Sequence, residues 1–301
     1  MDDIKCPSCK SECFRCLGNI PASDIFAGRQ LGYSLPGGKL WRCSSCNLVF
    51  RYPRISKEIL DQLYRQGNVD NWDSTFFNRS DWGFVENIIA NTPTVKSILD
   101  VGCFDGRLLN YLPEHIEKLG VEIHGDAARK AMSNGIRIIA KDFEELDTLF
   151  SVADAVLALD VIEHTDDPLR FLFRLSQVTK KNGLIIIGSG NSDCPSWRFM
   201  GSKYWYCHIA EHISFINPEW VIKSAKSLGL EILVLNKFSH GNQDSSFSVR
   251  SCQFLSNLIY RLFPRLFSWL RWILGKNSSR NIPPNWMSAR DHMLVVLKKS
   301  A

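Results

Sequence analysis

Short apolar runs alternate with stretches of helical periodicity over most of the chain after residue 94. Five of these runs are predicted strands, at residues 95–101, 118–123, 135–140, 154–161 and 184–188. Two further apolar runs, at residues 229–235 and 292–299, bring the predicted strands to seven. Strands and helices that alternate in this way form βαβ units. The pattern therefore predicts an α/β fold with a Rossmann-like, doubly wound and mostly parallel seven-stranded sheet.

Capping residues mark the helices that connect these strands. The Asp-Pro pair at residues 167–168 predicts the start of one helix, and Gly183 marks its end. The Asn-Pro pair at residues 217–218 predicts another helix start, and Gly229 its end.

Residues 54–93 are predicted to form a helical connector ahead of the sheet. One helix follows Ser56, and the other covers residues 81–91. Residues 68–79 between them are polar and aromatic, and we expect a loop there. An ordered arm over the ligand site is the alternative.

The segment 240–291 interrupts the pattern before the last strand. Within it, residues 250–276 place arginines and a lysine among large apolar side chains. Aromatic residues beside cations suit an amphipathic helix, broken near Pro264, that lies in an anionic membrane interface. A helix pair packed on the core and a contact with a second chain are the alternatives. A nucleic-acid contact is disfavoured because no RNA-binding module is recognisable.

Composition changes this picture little. The chain has 301 residues and 45% hydrophobic content, enough for a full domain with an appendage. A net charge of +5 is too small to indicate nucleic acid by itself. The first residues are charged, and no run of eighteen apolar residues is free of charge. We therefore expect a cytoplasmic protein with reduced thiols, attached to the inner face of the membrane if the insertion binds lipid.

Six of the ten cysteines lie within the first 46 residues, as three C-x-x-C pairs. Two such pairs a few dozen residues apart can hold one Zn²⁺ tetrahedrally, in a closed site with a structural role. Residues 1–53 are therefore predicted to form a zinc ribbon, with redox-active or simply buried cysteines as the alternative readings. The predicted ligands are Cys6, Cys9, Cys43 and Cys46, with the pair Cys13 and Cys16 as the less favoured substitute.

A glycine-containing turn follows the first strand of the predicted sheet. Asp100 ends the strand, and Gly102 and Gly106 allow the backbone to turn sharply. A ligand can then approach main-chain N–H groups at the start of the next helix. Phe104 takes the place of a middle glycine, which disfavours the dinucleotide-binding pattern G-x-G-x-x-G.

Acidic residues also end the next three predicted strands. Glu122 ends the second, Asp142 the third and Asp160 the fourth. A carboxylate about twenty residues beyond the glycine turn can accept both hydroxyls of a ribose. Together these acids predict a nucleotide-like ligand across the carboxyl ends of the strands.

Several segments resemble the class I S-adenosylmethionine-dependent methyltransferases. ILDVGCFDG, GVEIHGDAARKA, KDFEEL and ALDVIEHTDDP are similar to that family's successive cofactor-binding motifs. WYCHIAEHISFINPEW resembles a segment of its ubiquinone-biosynthesis-like branch, and LWRCSSCNLVFRYPR resembles the zinc-binding segment of bacterial sugar and surface-glycan methyltransferases. The resemblance implies an S-adenosylmethionine-binding domain over residues 94–301. The cofactor-binding residues that it implies are Asp100, Gly102, Cys103, Phe104, Asp105, Gly106, Leu108, Glu122, Ile123, Asp142, Phe143, Leu159 and Asp160.

Two departures from the family pattern concern the same region. Phe104 stands where a glycine is usual, so the turn must relax or the ring must cover the cofactor if that position needs a positive φ. His124 and Gly125 replace the usual Asp-Pro after the second strand. Neither departure affects the acidic positions.

The resemblance implies methyl transfer to an oxygen or carbon atom of a small-molecule, sugar or lipid-linked acceptor, in glycan or lipid biosynthesis. A positioned base would assist an acceptor hydroxyl. Methylation of an exocyclic amine is disfavoured, since no Asn-Pro-Pro-Tyr motif follows the fourth strand. An RNA-directed methyltransferase, or a non-catalytic ribbon protein with a degenerate cofactor site, is the alternative. The candidate bases are His164, His212 and Glu163, with His208 less favoured.

Overall fold

The computed structural model describes residues 4–27, 29–66, 79–240, 246–275, 282–286 and 289–300. Its central feature is a seven-stranded sheet whose spatial order is β12-β13-β10-β9-β6-β7-β8. Strand β13 is antiparallel to both of its neighbours, and the other pairings are parallel. The strands are β6 (Ser97–Val101), β7 (Glu117–Val121), β8 (Arg137–Ala140), β9 (Ala153–Leu159), β10 (Thr179–Gly190), β12 (Leu230–Phe238) and β13 (His292–Lys299).

The apolar runs of the sequence form these strands because helices cover both faces of the sheet. Every residue of β6 is buried, as is most of β9 and β13. Such strands lack the alternation of a half-exposed sheet and appear as continuous apolar runs. The predicted α/β class with a mostly parallel seven-stranded sheet is confirmed.

Nine α-helices are present in the described residues. Two precede the main sheet, five cross between its strands or support the site, and two form the insertion before β13. They are α1 (Lys57–Arg65), α2 (Ser80–Ala90), α3 (Arg107–Tyr111), α4 (Gly125–Ser133), α5 (Pro168–Val178), α6 (Pro195–Met200), α7 (Pro218–Ser227), α8 (Phe247–Leu262) and α9 (Pro264–Ile273).

The predicted helix starts are found, but one predicted helix end is wrong. Asp167 caps α5 by accepting a hydrogen bond from the Arg170 N–H. That helix ends at Val178, and Gly183 lies inside β10 rather than after the helix. Strand β10 begins with polar residues and has an irregular pairing before Leu184, so the sequence pattern does not indicate a strand before that residue. Gly183 is needed there because a Cβ atom would lie 2.6 Å from the Asp154 carbonyl oxygen.

The N-cap of α7 also joins two parts of the molecule. Asn217 is fully buried; its Oδ1 accepts from the Trp220 N–H at 3.0 Å, and its Nδ2 donates to the Asn47 carbonyl at 2.7 Å.

Replacing Asn217 with Ala would leave the Trp220 N–H and the Asn47 carbonyl without these hydrogen-bond partners. We expect a loss of about 2–3 kcal/mol in the free energy of unfolding, measured by urea denaturation. Ser246→Ala removes the exposed cap of α8 and should cost less than about 1 kcal/mol; equal losses would contradict this account.

The N-terminal region forms two small sheets. A four-stranded sheet has the order β1-β4-β5-β11, and a separate hairpin pairs β2 with β3. In the four-stranded sheet, the last strand, β11, comes from the main domain and pairs antiparallel with β5. The strands are β1 (Phe14–Ile20), β2 (Ser23–Phe26), β3 (Arg29–Leu35), β4 (Gly38–Cys43), β5 (Val49–Tyr52) and β11 (Ser214–Phe215).

The ribbon packs firmly on the main domain. Cys6, Cys43 and Cys46 share one buried cluster with Trp220 of α7 and with the sheet. The Trp220 indole N–H donates to the Ser8 hydroxyl at 3.0 Å. The ribbon and the seven-stranded sheet therefore form a continuous core.

The insertion forms two helices that break at Pro264, as predicted. Its inner face joins a buried cluster through Tyr260 and Phe267. Its outer face is apolar and exposed. Among the described helices, none has the length and hydropathy required to cross a membrane.

Candidate active site

A cavity of about 1090 Å³ opens at the carboxyl ends of β6, β7, β8 and β9. This volume exceeds that of a typical site for one drug-sized ligand. Of the residues predicted to bind a cofactor or act as a base, most line the cavity. Those in its wall are Asp100, Gly102, Cys103, Phe104, Asp105, Leu108, Glu122, Ile123, Asp142, Phe143, Leu159, Asp160, His164 and His212.

Two predicted residues lie outside this wall. Gly106 is the N-cap of α3 and has a left-handed backbone with φ of 80°. A Cβ atom there would lie 2.7 Å from Ile136. Glu163 is buried behind the wall, with 1% of its surface exposed.

The glycine turn keeps its left-handed geometry despite Phe104. Gly102 has φ of 82°, and Phe104 has φ of 51°. The Phe104 N–H donates to Oε2 of Glu122 at 2.9 Å, and the ring is almost fully buried while it contributes to the cavity wall. The turn therefore does not relax. A hydrogen bond to Glu122 and burial of the ring offset the strain of the backbone.

Glu122 organises the end of β7. Its Oε1 accepts from the His124 N–H at 2.7 Å while its Oε2 accepts from Phe104. A carboxylate has further lone pairs, so two hydroxyls of a ribose could still bind. Burial raises the pKa of Glu122, and burial with the charge of Glu122 raises the pKa of Asp100 to about 8. These two acids lie in a site suited to polar hydroxyl and ammonium partners.

The ends of β8 and β9 supply the remaining walls. Asp142 caps a short 3₁₀ turn through the Glu144 N–H at 3.0 Å. The Phe143 ring packs edge-on against Phe171 at 5.3 Å, which holds an aromatic wall in place. This wall is suitable for an adenine ring.

Arg79 is a site residue that the sequence analysis missed. Its Nη1 lies 2.7 Å from Oδ2 of Asp160, and it also binds Asp81 at the start of α2. Burial opposes ionisation of Asp160, but the charges of Arg79 and nearby histidines hold its pKa below the usual range. Arg79 is the last residue of the predicted loop 68–79, and its sequence context does not show which acid it pairs with. The rest of that predicted loop, residues 68–78, lies outside the described residues.

A second cluster lies beyond Asp160 and contains the three candidate bases. The carboxylate of Glu163 and ring nitrogens of His164 and His212 lie within 4.8 Å of one another. Ser189 donates to Glu163 at 3.0 Å, and the Tyr206 hydroxyl also donates to it. Sequence positions 48 residues apart are thus brought together at one end of the cavity.

The two histidines of this cluster differ in their partners. Nδ1 of His164 lies 2.7 Å from the Tyr64 hydroxyl and 3.2 Å from the Glu211 carbonyl. Nδ1 of His212 is buried and has no hydrogen-bond partner within the part of the chain that the structure describes. Burial lowers the pKa of His164, and burial with the neighbouring His164 lowers the pKa of His212 well below 6.5. His212 is therefore a neutral imidazole at pH 7.

The other candidate base, His208, has a structural partner. Its Nε2 lies 3.1 Å from the Ser202 carbonyl oxygen. Burial lowers its pKa to about 4. Although His208 contributes to the cavity wall, it lies outside the cluster around Glu163.

The N-terminal ribbon helps to position the second cluster, a role that sequence reasoning did not anticipate. Strand β11 follows His212 directly and pairs with β5 of the ribbon. The Ala27 N–H, at the tip of the β2–β3 hairpin, donates to Oε1 of Glu211 at 3.0 Å. Residues 21–25 of the same hairpin line the cavity. The ribbon therefore forms one wall of the end of the cavity that His164 and His212 line.

The four predicted metal ligands are brought together at the base of the ribbon. The Sγ atoms of Cys6 and Cys46 lie 3.5 Å apart, as do those of Cys9 and Cys43. In each C-x-x-C knuckle, the residue after the second cysteine has a positive φ, 61° at Lys10 and 66° at Asn47. All four Sγ atoms lie within 4.8 Å of one another, whereas Cys13 and Cys16 are exposed and outside the group.

A sheet of this order, with a glycine turn and acids at the following strand ends, defines a class I S-adenosylmethionine-dependent methyltransferase. The chain belongs to the methyltransferase domain family, whose model matches residues 83–235. Curated relatives include an uncharacterized protein of Methanocaldococcus jannaschii, 28% identical over 133 residues, which are 44% of this chain and 63% of that protein. Another is a ubiquinone biosynthesis O-methyltransferase of Pelagibacter ubique, 27% identical over 50% of this chain and 68% of its own length.

Solved structures establish the same fold. One is a chain from a Haloferax volcanii complex between a methyltransferase activator and a protein described as a methyltransferase, with a TM-score of 0.52 and 14% identity; the match covers 80% of this chain and 97% of that one. Another is an S-adenosylmethionine-dependent methyltransferase of Thermotoga maritima, with a TM-score of 0.50 and 18% identity, covering 81% and 99%. At this identity the similarity concerns the fold alone.

The residues in the cavity fit S-adenosylmethionine. Glu122 can accept the ribose hydroxyls, Phe143 can flank the adenine, and Asp100 can accept from the ammonium group. Gly102 lines the cavity and has no side chain, so a ligand can approach its main chain closely. A Cβ atom there would lie 2.8 Å from Val161, so the position is restricted to glycine. These positions coincide with the predicted cofactor-binding set.

Glu122→Gln should weaken cofactor binding strongly, because its amide NH2 group cannot replace a carboxylate oxygen as an acceptor. The variant loses a charged acceptor for two hydroxyls, which is worth roughly 10–100-fold in affinity. Isothermal calorimetry with S-adenosylmethionine measures the effect. Glu117→Gln, an exposed change at the opposite end of β7, is the matched control. An unchanged dissociation constant for Glu122→Gln would exclude this role.

Proposed function

We propose that this methyltransferase transfers the methyl group of S-adenosylmethionine to a hydroxyl oxygen of a small-molecule, sugar or lipid-linked acceptor. The observation that carries the proposal is the buried cluster of Glu163, His164 and His212 at the acceptor end of the cavity. A hydroxyl is a weak nucleophile at neutral pH and gains most from a positioned base. A carbon acceptor and an RNA acceptor are the competing possibilities.

His212 is the proposed base. It lines the cavity, it is neutral at pH 7, and one of its ring nitrogens lacks a partner in the described residues. A buried polar atom without a partner is rare in proteins and is consistent with a position that a ligand completes. His212 accepts the acceptor's hydroxyl proton while the oxygen becomes the nucleophile. Glu163, behind the histidines, holds negative charge near the resulting imidazolium.

The cofactor's contribution is simple. When bound, S-adenosylmethionine supplies an electrophilic methyl group whose leaving group is a neutral thioether. The protein therefore has to align the acceptor, remove its proton and exclude water. The histidine cluster lies where it can remove the proton, and the hairpin β2–β3 lies where it can align the acceptor and exclude water.

Similarity supports an oxygen acceptor independently. Relatives from Pelagibacter ubique and Rickettsia conorii carry the name ubiquinone biosynthesis O-methyltransferase. The chain spans 68% and 38% of their respective lengths. Their name is the reason to include quinone-like lipids among the acceptors to be tested.

We also propose that the four cysteines hold one structural Zn²⁺. Tetrahedral coordination at a Zn–S distance of about 2.3 Å places the sulfurs about 3.8 Å apart, close to the separations of 3.5 Å observed here. All four positions are filled by sulfur, so the ion has no open position for a substrate.

A labelled transfer assay tests the proposed acceptor class. Purified protein is incubated with methyl-labelled S-adenosylmethionine and a panel that contains hydroxylated quinone-like lipids, sugar nucleotides and RNA. We expect label in a hydroxyl-bearing acceptor, as a methyl ether identified by NMR. A new carbon–methyl bond, or label only in RNA, would overturn the proposal.

A further inference from the structure

The two insertion helices, α8 and α9, are called the helical hairpin. Their outer face is apolar and exposed. Thirteen of the 23 large hydrophobic side chains exposed among the described residues lie between Phe247 and Ile282. The other ten lie at scattered sequence positions from Ile25 to Val234. On α9 the exposed side chains include Trp269 at 51%, Trp272 at 54% and Ile273 at 55%. A continuous apolar patch of this kind marks an interaction site.

The opposite face of the helical hairpin is fixed to the protein. Tyr260 and Phe267 are buried and their rings pack at 5.1 Å. The Lys203 ammonium donates to the Arg261 carbonyl at 2.7 Å, and the Arg261 guanidinium lies 4.2 Å from the centre of the Phe199 ring. The outer face is thus held outward by a well-packed inner face, so its exposure is a built feature of the fold.

Charge distinguishes this surface from the rest of the protein. The sequence from Ser245 to Arg290 contains no Asp or Glu, although the whole chain has 31 acidic residues. The same segment contains seven Arg and Lys residues, among them the exposed Arg265 on α9. Arg265, Trp269 and Trp272 follow the spacing i, i+4, i+7 of one helical face and are exposed, an arrangement that suits the headgroup region of an anionic bilayer. A second copy of this surface is a poor partner, because symmetric pairing would oppose like charges.

The helical hairpin also adjoins the mouth of the cavity. Arg271 donates to the Ile282 carbonyl at 2.9 Å, and Phe254 packs against Trp286 with ring centres 5.9 Å apart. Ile282, Pro283 and Asn285 line the cavity. A surface held by the helical hairpin would therefore lie close to the acceptor entrance.

We propose that the helical hairpin binds an anionic membrane surface and brings the cavity to acceptors anchored in the bilayer. The binding itself rests on the exposed face and its charge. The statement about the acceptor rests on the proposed function. Together they narrow the acceptor class from small molecules in general to lipid-linked hydroxyl compounds.

Vesicle sedimentation of the full-length, reduced protein tests the proposal. Vesicles of equal parts phosphatidylglycerol and phosphatidylcholine should bind the protein, and vesicles of phosphatidylcholine alone should bind it at least about tenfold more weakly. The double variant Trp269→Gln with Trp272→Gln should lose about tenfold or more in partitioning. A matched control, Ile222→Gln with Leu233→Gln, removes two exposed apolar side chains elsewhere and should bind as the unmodified protein does.

Three results would overturn the proposal. The first is no binding to anionic vesicles, and the second is equal loss in the control variant. The third is a stable dimer in light scattering that the Trp269→Gln/Trp272→Gln variant dissolves, which would assign the surface to a second copy. Calorimetry with S-adenosylmethionine on the same samples separates the two proposals: vesicle binding without cofactor binding would refute the enzyme function and leave membrane binding intact.

Discussion

Changing Cys43 and Cys46 to serine should abolish zinc binding at the proposed four-cysteine site and unfold the ribbon. The protein should contain about one Zn²⁺ per chain by elemental analysis after reduction, and the double variant none. Two of the four sulfurs would be lost, and the remaining pair cannot hold the ion in a closed site. Because the ribbon shares a buried cluster with the sheet, we expect the Tm of the whole chain to fall by roughly 10 °C.

The chain contains its own control for this experiment. Cys13 and Cys16 form a C-x-x-C pair of identical spacing, but both are exposed and lie outside the sulfur cluster. Changing both of them to serine should leave zinc content and Tm almost unchanged. Loss of zinc in this control, with retention in the Cys43/Cys46 variant, would show that the ligand set is wrong.

The same variant tests the connection between ribbon and acceptor site. Strand β5 pairs with β11, which follows His212, and the ribbon hairpin binds Glu211 through the Ala27 amide. Asp100 and Glu122, the predicted cofactor-binding residues, lie instead on β6 and directly after β7. We therefore expect loss of the ribbon to reduce methyl transfer far more than affinity for S-adenosylmethionine. Equal losses in both measurements would contradict this division of the site.

The fold, and the meeting of the strand-end acids in one cavity, could be predicted from local sequence. Buried parallel strands give apolar runs, and the acids at strand ends follow those runs directly. The predicted helix end at Gly183 is wrong because it too was based on local sequence. Strand β10 begins with polar residues, which do not indicate a strand. The correct strand predictions and the wrong helix end therefore both depend on residues that are close together in sequence.

The acceptor end depends on long-range contacts that local patterns do not encode. The hydrogen bond between Ala27 and Glu211 joins residues 184 positions apart, and β11 is only two residues long. Arg79 binds Asp160 across 81 positions, and its sequence neighbours give no sign of that partner. Candidate bases could be named from residue type, but their grouping required the fold.

His212→Asn should reduce kcat by roughly 100–1000-fold and leave the affinity for S-adenosylmethionine nearly unchanged. The change removes the proposed base but keeps a polar side chain of similar size. His208→Asn is the control, because His208 also lines the cavity but its Nε2 already binds the Ser202 carbonyl. Both values can be measured with the acceptor that the labelled panel identifies. A kcat for His212→Asn close to that of the unmodified enzyme would refute the assignment.

The pH dependence of kcat distinguishes His212 from Glu163 as the base. Each acts as a base only when deprotonated, so the rate falls as pH drops through its pKa. Burial, reinforced by Asp160, raises the pKa of Glu163 to about 7, whereas burial lowers the pKa of His212 well below 6.5. If His212 is the base, kcat should stay constant from neutral pH to below 6.5. A decline centred near pH 7 that Glu163→Gln abolishes would instead identify Glu163, and the histidines would then serve to position the acceptor.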